Sequence, residues 1–149
     1  MQLDRDWLLD HIPHQGGMCL LDGIAQWDAQ RIHCTASSHR AADNPLRAHG
    51  RLGAACGIEY AAQAMAAHGG LLAAAETPPR AGYLASVRGV ELRVAHLDDI
   101  AGDLQVDAER LSGDDNTLLY GFSVSDGERV LLHGRAIVVL DAAKLGNPR

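Results

Sequence analysis

Aromatic residues are nearly missing from this chain: Phe, Trp and Tyr together make up 4% of 149 residues. With 47% hydrophobic residues overall, any core has to be assembled from Ala, Leu and Val. Basic charge is also short. Thirteen Lys and Arg face nineteen Asp and Glu, for a net charge of −6, which argues against general nucleic-acid binding. Cysteine is sparse: Cys19, Cys34 and Cys56 are odd in number, widely spaced and form no CxxC pair. That excludes a disulfide framework and points to reduced thiols in a cytoplasmic protein. Long apolar runs are missing too, so no membrane span is expected. The first residues, MQLDRDWLLDHIPH, lack the basic region and apolar core of a signal peptide.

What the chain does have is one unusual segment, NPLRAHGRLGAACGIEYAAQAMAAHGG, from Asn44 to Gly70. Its second half reads as a helix of small apolar residues, built to be buried. Between Leu52 and Ala75 its one charged residue is Glu59, and its one amide, Gln63, falls one turn later on the same face. A buried helix has no structural use for a carboxyl group, and burying one unpaired is costly. Glu59, with His49 shortly upstream, is therefore an acid–base candidate.

Elsewhere the chain is predicted to form a short helix over Asp4 to His11, ended by Pro13, with Trp7, Leu8 and His11 turned inward. MCLLDGIAQWD and RIHCTASS read as two strands, the second by its alternation. A polar loop then leads to the long helix, which Thr77-Pro78-Pro79 closes. Four further strands follow: GYLASVRGVELRVA with a bulge at Gly89, DLQVDAERL, TLLYGFSVS and ERVLLHGRAIVVL. The last two form a hairpin across Asp126-Gly127, and the tail AAKLGNPR is expected to fray. With one long helix and antiparallel strands, the chain is expected to be a single α+β domain over residues 1–149, its sheet wrapped around the helix.

This order of elements is similar to the hot-dog fold. Two motifs narrow the resemblance. Residues 12–22, IPHQGGMCLLD, resemble the LPHRxPxLLLD opening of 3-hydroxyacyl-acyl carrier protein dehydratases. Residues 57–64, GIEYAAQA, resemble their central-helix motif xxEAxAQ. LDDIAGDLQVDAERL is similar to their VxPGDxLxxEV strand. The resemblance covers nearly the whole chain and looks closest to the divergent dehydratase-like branch of aryl-polyene and related pigment pathways. By motif match, Glu59 is the catalytic acid. The histidine loop of the family, HFPGxPxxPG, is represented by HGRLGAACG, which is shorter, lacks proline and keeps His49 as its leading residue.

The resemblance implies elimination of water from a 3-hydroxyacyl thioester carried by acyl carrier protein, giving a trans-2-enoyl thioester. That chemistry needs a base for the proton beside the carbonyl, an acid for the departing hydroxyl, and donors for the carbonyl oxygen. His49 is the expected base, Glu59 the acid kept protonated by apolar neighbours, and Gln63 the residue that orients Glu59 or its water. The backbone from Gly53 to Gly57, at a helix start, would take the oxyanion, with Gly53 and Gly57 letting the substrate approach. His14 would hold the turn before the first strand, at the substrate's edge. His39 is a reserve base or a solvated loop residue, and the base stays open among His49, His14 and His39. No metal or cofactor is required. Arg47, Arg51, Arg80, Arg88 and Arg93 are candidate contacts for an acidic carrier protein or its phosphopantetheine phosphate. The alternatives are a thioesterase of the same fold, and a non-catalytic subunit of a hot-dog heterodimer. A homodimer is the expected minimal state.

Overall fold

The computed structural model describes residues 2–73, 83–114 and 116–139. The elements in order are β1 (Leu3–Asp4), α1 (Arg5–His11), β2 (Gly23–Trp27), β3 (Arg31–Ala36), α2 (Gly57–Ala73), β4 (Tyr83–Leu92), β5 (Leu104–Gly113), β6 (Thr117–Ser125) and β7 (Val130–Val139). The seven strands form one sheet in the order β1-β2-β3-β5-β6-β7-β4, antiparallel throughout. β4 is thus carried past three strands to the far edge, and α2 bridges the crossing from β3 to β4.

The strands alternate as a half-buried sheet should. In β6, Leu118, Tyr120, Phe122 and Val124 are buried, while the residues between them stay partly exposed. In β3, Ile32, Cys34 and Ala36 point inward. α2 lies on that inner face, across β3, β5 and β6. Tyr60, Ala61, Gln63, Ala64, Met65, Ala67 and His68 are all buried, so the helix is covered around much of its circumference. Alanine makes this geometry possible, because a slim helix lets the curved sheet close in. Gly57 shows how near it comes: a Cβ there would lie 2.6 Å from Leu132 Cδ2 of β7.

The ends of the elements follow local chemistry. Asp4 caps α1 by accepting from the Trp7 N–H at 3.1 Å. Leu8 is buried, whereas His11 is exposed and stacks on Trp7 with ring centroids 4.0 Å apart, so the inward turn expected of His11 does not occur. Gly89 has φ +59 beside a register shift between Arg88 and Glu91, the expected bulge. Gly127 has φ +97 in the β6–β7 turn. The strand expected from Met18 begins only at Gly23. Residues Cys19, Leu20 and Leu21 are fully buried, but a 3-10 turn over Gly16–Met18 and a side-chain clamp from α2 replace strand pairing there. An apolar run signals burial, not strand. The expected Pro-rich helix stop, Arg80 and the tail lie outside the described residues.

Candidate active site

α2 places Glu59 in its first turn. The loop after α1 folds back over that turn and brings His14 Nε2 to 3.8 Å from Glu59 Oε2. This spacing is within ion-pair range and beyond hydrogen-bond range, so the two groups face each other without being tied together. Both are partly open: the side chains are 23% and 35% exposed. Water therefore reaches the Glu59 carboxyl, and the complete apolar enclosure expected from its Ala and Ile neighbours in sequence is not present. The inner nitrogen of His14, Nδ1, is buried and meets no hydrogen-bond partner among the described residues.

Gln63 holds the loop that carries His14. Its Oε1 accepts from Leu20 N–H at 2.8 Å and its Nε2 donates to the Met18 carbonyl at 2.7 Å. The amide is fully buried, and its bond to Leu20 is made where water cannot replace it. The expected turn of Gln63 toward Glu59 is not made. It shares the face of Glu59, as four-residue spacing requires, but engages the loop backbone. Three further contacts hold this loop. Arg5 donates to the Gly16 carbonyl at 2.9 Å, Gln15 to the Leu9 carbonyl at 2.7 Å, and Ser38 Oγ to the Leu20 carbonyl at 2.7 Å. Ser38 Oγ is in turn 2.7 Å from the hydroxyl of Tyr60, which also accepts from Asn44. Tyr60 follows Glu59 directly, so one helical turn sends neighbouring side chains to two different loops.

His49 lies elsewhere. It sits at the exposed tip of a tight turn closed by Ala48 and Arg51, with φ +53 at His49 and +77 at Gly50, the left-handed pair that a two-residue hairpin turn demands. The histidine that faces Glu59 is His14, and His49 is not brought to it. His39 is fully buried, not solvated, and its Nε2 is 3.0 Å from the Ile100 carbonyl. Burial pushes its basicity below the ordinary histidine range. His68 is likewise buried and lowered, held between the Tyr120 hydroxyl at 2.7 Å and the Asp28 carbonyl at 2.8 Å.

At the start of α2, the N–H groups of Ala54, Cys56 and Gly57 already donate, to carbonyls of Ala95, of Gly53, and of Ala54 and Ala55. The hydrogen bonds flanking the Gly53–His96 bridge run through Leu52 and Ala54, and leave the Gly53 N–H outside them. Gly57 is pressed against Leu132, so its missing side chain serves helix–sheet packing. Of the arginines singled out, Arg51 pairs with Asp98 at 2.9 Å and Arg93 with Glu91 at 3.1 Å, and Arg47 donates to the carbonyls of Ala41 and Gly50. No group of three or more metal-ligating side chains is found among the described residues, and no described helix is long and apolar enough to cross a membrane.

A seven-stranded antiparallel sheet curled around one helix, with a carboxylate at the helix start, defines a class: the hot-dog proteins, as its structural neighbours show. Within that class the chain belongs to the ApeP-like family, whose model, described as ApeP dehydratase, matches residues 8–145. The dehydratase heterocomplex ApeI:P from Xenorhabdus doucetiae superposes with a TM-score of 0.81 at 22% identity, covering 92% of each chain. A mutant thioesterase, PA1618, from Pseudomonas aeruginosa gives 0.62 at 15% identity, over 91% of this chain and 92% of that one. The PaaI protein of E. coli, from a phenylacetic acid degradation operon, gives 0.57 at 12% identity, over 78% and 80%. At these identities the neighbours show the fold. No match was found among the curated proteins.

Proposed function

We propose that this chain dehydrates 3-hydroxyacyl thioesters carried on acyl carrier protein, with His14 and Glu59 as its acid–base pair. The observation that carries the reading is the 3.8 Å approach of His14 Nε2 to Glu59 Oε2 at the start of the central helix, inside a dehydratase family. His14 Nε2 takes the proton from the carbon beside the thioester carbonyl. The Glu59 carboxyl protonates the hydroxyl at the next carbon. The C–H and C–O bonds break, the carbon–carbon double bond forms, and water leaves. An imidazolium and a carboxylate then face each other, and transfer of the proton between them restores the starting state. Charge developing on the thioester oxygen needs a donor, and the N–H of Gly53 is the candidate at the helix start. Gln63 acts as a positioning residue through Met18 and Leu20.

The heterocomplex of the relative supports a further part of the proposal: this chain works paired with a second hot-dog subunit. The self-paired form is the simpler case. Water loss from a 3-hydroxyacyl carrier substrate, followed by mass spectrometry, tests both, with the chain alone and with a co-expressed partner. We expect the loss of one water with wild type, and a drop of ~10²-fold or more with Glu59→Gln and with His14→Ala. His49→Ala should stay near wild type. Loss of activity in His49→Ala alone would return the base to His49. Release of a free acid would reject dehydration in favour of thioester hydrolysis. An active complex that tolerates both Glu59→Gln and His14→Ala would leave this chain as the non-catalytic subunit.

A further inference from the structure

The short strip Leu52–Ala54 that leads into α2 is held by the segment between β4 and β5. Leu97 N–H donates to the Leu52 carbonyl at 2.8 Å, and Ala54 N–H to the Ala95 carbonyl at 3.0 Å. These two bonds flank the bridge between Gly53 and His96. In an antiparallel pair, a residue flanked in this way turns its own N–H and C=O away from the partner strand. The Gly53 carbonyl accepts from Cys56 N–H at 3.0 Å, inside the turn that opens α2. The Gly53 N–H leaves the strip on that same side. Gly53 has φ −68 and ψ 152, which any residue adopts, and open space lies where its Cβ would be. Neither the backbone nor the packing calls for glycine there, and the missing side chain leaves room beside the N–H.

One carboxylate fixes the strip. Asp98 Oδ1 accepts from Leu52 N–H at 2.7 Å, and its Oδ2 accepts from Arg51 Nε at 2.9 Å. The Asp98 side chain is 11% exposed, whereas that of Asp99 is 64% exposed and meets Arg51 at 3.5 Å. The bond from Leu52 N–H, with Arg51 adding to it, holds Asp98 below the usual carboxylate range, so Asp98 is a charged acceptor at neutral pH. The peptide units on either side of Leu52 are thus both caught by Leu97 and Asp98. The first gives its N–H to the carboxylate. The second joins Leu52 to Gly53; its carbonyl takes the Leu97 N–H, and its own N–H is the one left outside. A peptide plane is rigid, so holding its carbonyl aims its N–H. The bond at the carbonyl also polarises the unit and strengthens the N–H as a donor. Arg51 balances a carboxylate that would otherwise set negative charge near a donor meant for an anion.

We infer that Asp98 is a positioning residue: acting through Leu52, it fixes the peptide that presents the Gly53 N–H to the thioester oxygen. This rests on the dehydratase reading above.

Kinetics and amide NMR test it together, on the chain with its co-expressed partner where one is required. Asp98→Ala removes the acceptor. Asp98→Asn keeps an oxygen acceptor without the charge. Asp99→Ala removes the same charge one residue on. With a 3-hydroxyacyl carrier substrate, kcat should fall about tenfold or more in Asp98→Ala with KM little changed, recover in part in Asp98→Asn, and stay within about twofold of wild type in Asp99→Ala. The second readout needs no turnover. The Gly53 amide proton should move downfield when a saturated acyl-pantetheine amide is added to wild type, and should move much less in Asp98→Ala. A folded Asp98→Ala protein with wild-type kcat would overturn the inference. So would the same Gly53 response in both proteins, or equal losses of kcat in Asp98→Ala and Asp99→Ala. If wild type turns over no substrate, the dehydratase reading fails by itself, and the Gly53 response alone then decides whether Asp98 aims that N–H.

Discussion

At the scale of single residues, the proposed assignment rests on His14 and Glu59, which face each other at 3.8 Å. Replacing Glu59 with Gln keeps the shape and hydrogen-bonding reach of the side chain but removes the proton it would exchange. Turnover of a 3-hydroxyacyl thioester should therefore fall by ~10²-fold or more, with KM changed far less than kcat. A raised KM with kcat unchanged would instead point to a binding role. The place of Glu59 in the first turn of the long helix was legible in the sequence, as the lone carboxylate in a run of alanine. Its partner was not. His49 lies ten residues before Glu59 and His14 forty-five, and sequence separation favours the nearer. The nearer histidine is held at a turn tip by its own left-handed backbone, while the distant one is returned by a folded loop. The motif around His14 marked it as special without saying which residue it would face. His39 misled for a different reason: polar neighbours in sequence suggested solvent, yet its ring is enclosed and bonded to the Ile100 carbonyl.

At the scale of elements, the junction between α2 and the loop over residues 14–21 matters most. Gln63→Ala would leave the buried Leu20 N–H, and the partly buried Met18 carbonyl, without their partner, at a cost of about 1–3 kcal/mol. Thermal unfolding should show that loss, and hydrogen exchange should rise first at Leu20. If exchange there is unchanged while stability falls, the clamp is not what fixes the loop. At the sheet's other end, Gly23 faces the backbone of β1, where an added Cβ would lie 2.6 Å from the Leu3 carbonyl oxygen. Gly23→Ala should therefore separate β1 from β2, which raised exchange at Ile24 and Leu3 would report. Of the strands that were read well, β6 alternates throughout and β5 over its first half, while β7 was marked by its apolar content and the Asp126-Gly127 turn before it. β1 has only two residues, too few for any periodicity, and its pairing with Gly23 depends on a close approach that no local pattern announces.

For the molecule as a whole, buried titratable groups set the response to acid. His39 and His68 are both pushed down, first of all by burial. An unfolded chain takes up protons on these rings below about pH 6.5, where the folded chain still keeps them neutral. Stability is therefore full above that pH and falls as pH drops toward the folded-state values. Asp28, Asp98, Asp114 and Asp126, lowered mainly by backbone N–H bonds, extend the loss into more acid conditions. Urea midpoints should thus be lower at pH 5.5 than at pH 7.5, and a midpoint that rose on acidification would contradict the assignment. Thiol chemistry gives an independent check on packing. Burial pushes Cys34 up to about 12 and raises Cys19, whereas Cys56 is only partly covered. A thiol reagent should modify one cysteine of the native protein quickly and all three after unfolding.

The loop that folds His14 onto Glu59 belongs to the same chain as the helix it covers. On the proposed assignment, reaction centres are then counted by copies of this chain and not by the interfaces it makes. A pair of two such chains would hold two of these centres, and a pair with a different subunit would hold one from this chain. Labelling with a tight mechanism-based inhibitor would reveal that arithmetic as one labelled site on each copy of this chain, in self-paired and mixed pairs alike.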